Sequence, residues 1–261
     1  ELVNMEAYTS LLLNEALDIG LKVKCTRVKN FICLGTPRDY EEYLYWNNIF
    51  QQFNSSEENN YQNDNHLITA AGLGSRFKKK NYRLPKIFNS FFDTTLLELS
   101  TKSLKGSNTN IILLKDLLRY SEMLPNLQLD LKLHSIDKTP NGQLITLSHL
   151  IERLNLDANY PFYVSSADYN FSINNNEFKK FLKKNNPDVV IFSTKWNLFA
   201  HESKNNYGFV KFDSNNRIFQ IIEKPAFEEV EFIPDDLLIG TFWFKSKAIL
   251  KDMPFAGEDK E

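Results

Sequence analysis

Leu67-Ile68-Thr69-Ala70-Ala71-Gly72-Leu73-Gly74-Ser75-Arg76-Phe77-Lys78-Lys79-Lys80-Asn81-Tyr82-Arg83-Leu84-Pro85-Lys86 passes from an apolar run into a glycine turn, and from there to an arginine and a Pro-Lys pair. Leu67–Ala71 is short, unbroken and bounded by glycine, the pattern of a strand buried on both faces. The chain holds nine glycines in 261 residues, so two of them within three positions mark a required conformation. Gly72 and Gly74 let backbone N–H groups from Ala71 onward approach an anion with no Cβ in the way, and the turn feeds Ser75 and Arg76 toward a bound phosphate. A P-loop would need Gly-x-x-x-x-Gly-Lys-Ser/Thr, and a dinucleotide fingerprint would need glycine where Phe77 stands. The spacing therefore describes a different triphosphate cradle, to which Arg76 and Lys86 add charge. Gly-x-Gly by itself is also an ordinary strand-to-helix turn, and it is the arginine and the Pro-Lys pair that favour the cradle.

Composition narrows the class. With 42% hydrophobic and 25% charged residues the chain falls among soluble globular proteins, long enough for one large α/β domain or two small ones. A formal charge of −2 argues against a nucleic-acid partner, which calls for a basic excess on one face. Cys25 and Cys33 lie in apolar stretches without metal-spaced partners, so both are expected to be buried thiols of a reducing cytoplasm. No run approaches the roughly 18 apolar residues of a membrane span, and no signal pattern opens the chain, so the expected location is cytosolic.

Along the chain, Gln51–His66 is polar and nearly free of aliphatic residues, which reads as a flexible linker. Beyond it, strands are expected at Leu67–Ala71, Asn110–Leu114, Leu127–Ser135, Phe162–Ala167, Val189–Ser193, Tyr207–Asp213, Ile218–Glu223 and Leu238–Phe244. Helices are expected at Thr94–Leu104, Lys115–Met123, Gly142–Leu154 and Asn176–Lys184. This alternation implies a mostly parallel sheet with helices on both faces, with a smaller mixed sheet from the later strands.

The cradle resembles that of the sugar-phosphate nucleotidyltransferases, whose loop reads Gly-x-Gly-x-Arg, a variable gap, then Pro-Lys. Two further segments are similar to elements of the same family. Tyr163-Val-Ser-Ser-Ala-Asp168-Tyr-Asn170 ends a strand in the aspartate that, by the resemblance, binds Mg²⁺ between nucleotide and sugar phosphate. Tyr207-Gly208 followed by Glu223-Lys224-Pro225 resembles the element in which the lysine holds the sugar phosphate, with Gly208 and Glu223 beside it. Thr139-Pro-Asn-Gly142-Gln143 looks like the turn that contacts the nucleotide base, or is simply the cap of the helix that follows. Trp196 either covers the sugar site or belongs to the core.

What the resemblance implies is a Rossmann-like, nucleotide-diphospho-sugar transferase fold and a magnesium-dependent nucleotidyltransferase serving nucleotide-sugar and polysaccharide-precursor synthesis. Its substrates would be a nucleoside triphosphate and a sugar 1-phosphate. A non-catalytic nucleotide-binding regulatory domain of the same fold is the alternative. A glycosyltransferase fits less well, since Asp168-Tyr169-Asn170 lacks the second aspartate of Asp-x-Asp. Two positions depart from the family pattern: Ile87 replaces a second proline, and Ser10 stands near where a second metal-binding aspartate is common. The first fifty residues, with the amphipathic run Leu11–Leu17 and Phe31-Ile-Cys-Leu-Gly35-Thr36-Pro37, resemble the segment that normally closes the domain. Residues 1–50 are thus read either as the end of a tandem copy or as a permuted part of this domain, and are expected to pack a helix and a strand on the sheet formed by 67–250, in the same chain or in a partner chain.

Overall fold

A computed structural model describes residues 9–55, 64–104, 107–124, 131–140, 142–154, 159–195, 207–224 and 236–251. The chain divides into two units, 1–48 and 49–261.

The first unit contains helix α1 (Thr9–Asp18), which includes Ser10, and most of helix α2 (Pro37–Ser55). The start of α2 is written locally. The Asp39 N–H donates to Thr36 Oγ1 at 3.2 Å while the Thr36 N–H donates to Asp39 Oδ2 at 3.1 Å, a reciprocal cap with proline at the first helical position. Phe31–Leu34, expected as a strand, is irregular and exposed, with Phe31 at 82%. A strand needs a neighbour to take its N–H and C=O groups, and residues 21–35 pair with none among the described residues. Cys25 and Cys33 are consequently exposed thiols, contrary to the expected burial. The expected linker is partly helix as well, because α2 continues through Ser55 and the next strand begins at Asn65.

The second unit is built on an eight-stranded sheet. Strands β1 (Asn65–Ala70), β4 (Asn108–Leu114), β5 (Leu131–Ile136) and β6 (Phe162–Ser166) pair in the order β5-β4-β1-β6, all parallel. Strand β10 (Asp236–Phe244) continues the sheet antiparallel to β6, flanked by β7 (Val189–Lys195), and β8 (Gly208–Phe212) and β9 (Ile218–Glu223) complete it. The short ribbon of β2 (Ser90–Phe91) and β3 (Thr94–Thr95) forms the small separate sheet. The later strands thus join the main sheet. Of the expected strand at Leu127–Ser135, residues 127–130 lie outside the described residues, as does Trp196. The segment Lys115–Met123 is a 3-10 helix.

Burial on both faces follows from the period of two along each strand. Leu67, Ile112, Phe162 and Val164 face helix α5 (Gln143–Arg153) through Leu147, Leu150 and Ile151. Ile68, Ala70, Ile111 and Leu113 face the opposite way, onto Ile87, Phe88 and Leu97 of the 3-10 turn Lys86–Phe88 and helix α4 (Leu96–Lys102). Helix α6 (Asn175–Asn185) covers the later strands with Phe178 against Tyr163 and Trp243. Burying each such side chain contributes about 1.5–3 kcal/mol before entropy is counted. Local signals set the helix ends. Thr95 and Glu98 make a capping box for α4, and Asn174 caps α6 by accepting from the Glu177 N–H at 3.1 Å.

His66 sits within this core, fully buried, its Nε2 2.6 Å from Ser165 Oγ and its Nδ1 without a partner among the described residues. Burial lowers its pKa from 6.5 to about 3, so the ring is neutral when folded. An unfolded chain takes up a proton near pH 6.5 and the folded one does not. Stability is therefore expected to fall as pH drops from about 6.5 toward 3, by up to about 1.4 kcal/mol per pH unit from this group. Urea unfolding of wild type and His66→Gln across that range should show the shallower pH slope in the variant.

Candidate functional site

Strand order brings the glycine turn and Asp168 together. From β1 the chain moves to β4 and β5 on one side and then returns to β6 on the other side of β1. The reversal makes the crevice beyond the C-terminal ends of β1 and β6 the place where ligands of open α/β sheets bind. Ala71–Gly74 leaves the end of β1, and Asp168 follows the end of β6.

The glycine turn works by close approach. Gly74 has φ +59°, a left-handed conformation, and heads the short helix α3 (Ser75–Lys79). A Cβ on Gly74 would lie 3.0 Å from Lys86 Cβ, so the Pro-Lys segment packs directly on the turn. Gly72 has open space at its Cβ position. Ala71 is buried, while Ser75 and Arg76 are exposed. The Pro-Lys segment is itself clamped, since the Asn89 side-chain amide donates to the carbonyls of Leu84, Pro85 and Lys86 at 3.3, 3.0 and 3.0 Å. Lys86 Nζ then makes an ion pair with Asp168 Oδ2, each side chain about a third exposed. Two residues separated by 82 positions are brought into contact.

The Asp168 turn is tied on both sides. Ser103 Oγ donates to Asn170 Oδ1 and accepts from the Phe171 N–H at 3.1 Å. The Ser166 N–H donates to Tyr169 Oη at 3.1 Å, and that hydroxyl lies 2.9 Å from Thr241 Oγ1. Burial raises the Tyr169 hydroxyl to about 12, opposed by its hydrogen bonds to Thr241 and Ser166, with the Asp168 charge a smaller contribution.

Gly208, Glu223 and Lys224 lie at the nearer end of the β8–β9 pair. Gly208 pairs with Glu223 and with Leu238 of β10, whose other end pairs with β6. A Cβ on Gly208 would come 2.5 Å from Glu223 Oε2, so glycine leaves the carboxylate its room. Lys224 has φ +45°, a conformation costing a lysine about 1 kcal/mol or more, and its N–H donates to the Tyr207 carbonyl at 3.0 Å. Its ammonium extends into solvent, 3.9 Å from Glu223 Oε1. Gly142, with φ +117°, and the exposed Gln143 open α5, and Thr146 donates back to the Gly142 carbonyl from both N–H (3.3 Å) and Oγ1 (2.9 Å). Asn141 and Pro225 lie outside the described residues. Among the described residues, no three His, Cys, Asp or Glu side chains gather to hold a metal.

The sequence gives no sign of Asn89, Tyr169 and Thr241 as supports of the site, since each acts through a tertiary contact. The family model for nucleotidyl transferases matches residues 66–261. The chain belongs to that family. No curated protein matches it in sequence. Three solved structures of similar fold are the inositol-1-phosphate CTP transferase from T. maritima, the nucleoside-diphosphate-sugar pyrophosphorylase from Vibrio cholerae RC9, and a Bacillus anthracis protein provisionally assigned as a glucose-1-phosphate thymidylyltransferase. The first is 16% identical with a TM-score of 0.57 over 74% of each chain. The second is 20% identical with a TM-score of 0.52, over 70% of this chain and 73% of that one. The third is 15% identical with a TM-score of 0.56, over 72% and 75%. At such identities the likeness is one of fold.

Gly74→Ala should cost about 1–2 kcal/mol of unfolding free energy, from the left-handed backbone and the contact with Lys86. Gly72→Ala, with open space around it, should stay within about 0.5 kcal/mol of wild type. Chemical denaturation of both variants checks the contrast.

Proposed function

We propose that the chain joins a nucleoside triphosphate to a sugar 1-phosphate, or a similar phosphorylated small molecule, giving a nucleotide-sugar and pyrophosphate. The reading is carried by the meeting of Lys86 and Asp168 at the crevice between β1 and β6. An oxygen of the sugar phosphate attacks the α-phosphorus in line while the bond to the pyrophosphate oxygen breaks. Such transfer relies on positioning and charge neutralisation more than on a proton carrier. In this reading the backbone of Ala71–Ser75 and the Arg76 side chain hold the leaving phosphates, Lys86 lies along the α-phosphate, and Gly142-Gln143 meets the base. Lys224, with Gly208 and Glu223 beside it, holds the sugar phosphate.

Asp168 fits a magnesium ion, being a hard oxygen donor at a strand end beside the cradle, and Mg²⁺ is commonly held by one or two carboxylates together with substrate phosphates. When bound there, the ion would neutralise charge on the phosphates. A cytosolic setting, with nucleotide-sugars feeding polysaccharide assembly, is part of the same proposal. So is the role of residues 1–50 as the closing segment, which the exposed apolar side chains of Leu21, Val28, Phe31 and Ile32 support.

A regulatory, non-catalytic binding domain is the second reading, motivated by Ser10 standing near where a second metal-binding aspartate is common in the family. Pyrophosphate release measured with each of the four triphosphates and a panel of sugar 1-phosphates separates the two, because triphosphate binding without release in every pairing would leave only the regulatory reading. In the catalytic case Asp168→Asn should lower turnover by about 10²-fold or more. Lys86→Ala and Arg76→Ala should each weaken triphosphate binding by about tenfold, read by calorimetry. Deleting residues 1–50 should leave a fragment that aggregates or loses activity, and a soluble, fully active fragment would remove the closing role.

A further inference from the structure

We propose that Tyr169 is the positioning residue that holds Asp168 in its metal-binding orientation, fixed from behind by the kink of β10. The proposal rests on the reading of Asp168 as the metal ligand. Three features of β10 converge on this one hydroxyl. The register of β10 against β7 breaks between Leu238 and Phe242. Gly240, inside that break, has φ +78°, and a Cβ there would touch Tyr169 Oη at 3.5 Å and Cε1 at 3.7 Å. Thr241 is fully buried and presents its Oγ1 2.9 Å from the same Oη.

On its other side Tyr169 Oη accepts the Ser166 N–H, the last residue of β6. The phenol therefore closes the turn from Ser166 to Tyr169 across Asp168 and ties it to a strand that runs the other way. A phenol hydroxyl has one donor and two acceptor lone pairs, so it can bond the Ser166 N–H and Thr241 Oγ1 at once. A carboxylate on an untied turn would sample several orientations, and an ion that demands near-octahedral geometry is sensitive to that spread.

The test uses the full chain, a non-hydrolysable α,β-methylene triphosphate and Mn²⁺, with free Mn²⁺ followed by electron paramagnetic resonance. Tyr169→Phe should leave triphosphate affinity without metal within about twofold and raise the Mn²⁺ needed for half-saturation by about tenfold. Thr241→Val should move the metal dependence the same way, and Thr241→Ser, which keeps the hydroxyl, should restore it. A merely structural tyrosine would lower the melting temperature in both variants without moving the Mn²⁺ curve. If Tyr169→Phe does not fold, the Thr241→Val and Thr241→Ser pair decides. Wild-type Mn²⁺ affinity in Tyr169→Phe, or equal affinity in the two Thr241 variants, overturns the proposal. Asp168→Asn separates the levels. If it too binds Mn²⁺ like wild type, the metal role of Asp168 falls with the proposal; if it abolishes binding while Tyr169→Phe does not alter it, only the positioning role falls.

Discussion

Strand β1 is paired on both edges by parallel neighbours, and the site depends on that constraint. A strand held this way cannot slide without losing both ladders and turning its side chains to the wrong faces. Ile68 stands opposite Ile111 on one side and Ser165 on the other, so the start of the glycine turn and the end of β6 are fixed relative to each other. The crevice they frame is a product of topology. Side chains then fill it from both lips, Lys86 from the segment packed on the turn and Asp168 from just beyond β6.

Polar groups run through the middle of this sheet and reinforce the register. His66 meets Ser165, Thr69 Oγ1 donates to the Ser165 carbonyl at 3.2 Å, and Asn108 donates to Asn65 Oδ1 at 3.0 Å. Each of these bonds contributes about 1 kcal/mol at most, but a shift of one residue would strand several buried polar atoms together. The cost of misregistration exceeds the value of any one bond.

Much of this could be read from the chain. The apolar runs of β1, β4 and β6 and the stripes of α5 and α6 are strong periodic signals, and their observed ends fall close to the expected ones. The glycine turn was legible because a conformation that strains other residues favours glycine, and Gly74 does adopt φ +59° against Lys86. Phe31–Leu34 was misread because apolar β-formers describe a strand only when a partner is present, which local sequence cannot supply. Asn89, Tyr169 and the left-handed Lys224 were invisible for a related reason. An asparagine that clamps three carbonyls, or a tyrosine buttressed by a glycine 71 positions away, looks ordinary until the fold delivers its neighbours.

In the proposed reading the Lys86–Asp168 pair also sets how the glycine turn would exchange charge. Each group is the other's counterion, and a pair about a third exposed is worth roughly 1 kcal/mol or less, so separating it is inexpensive. An anion that draws the lysine away leaves a carboxylate in need of a cation, and a cation on the carboxylate leaves a lysine in need of an anion. A visitor bringing only one sign therefore creates an imbalance that opposes its own retention. One that carries both, such as a phosphate chain with its metal, swaps two contacts for two and leaves the local charge nearly unchanged.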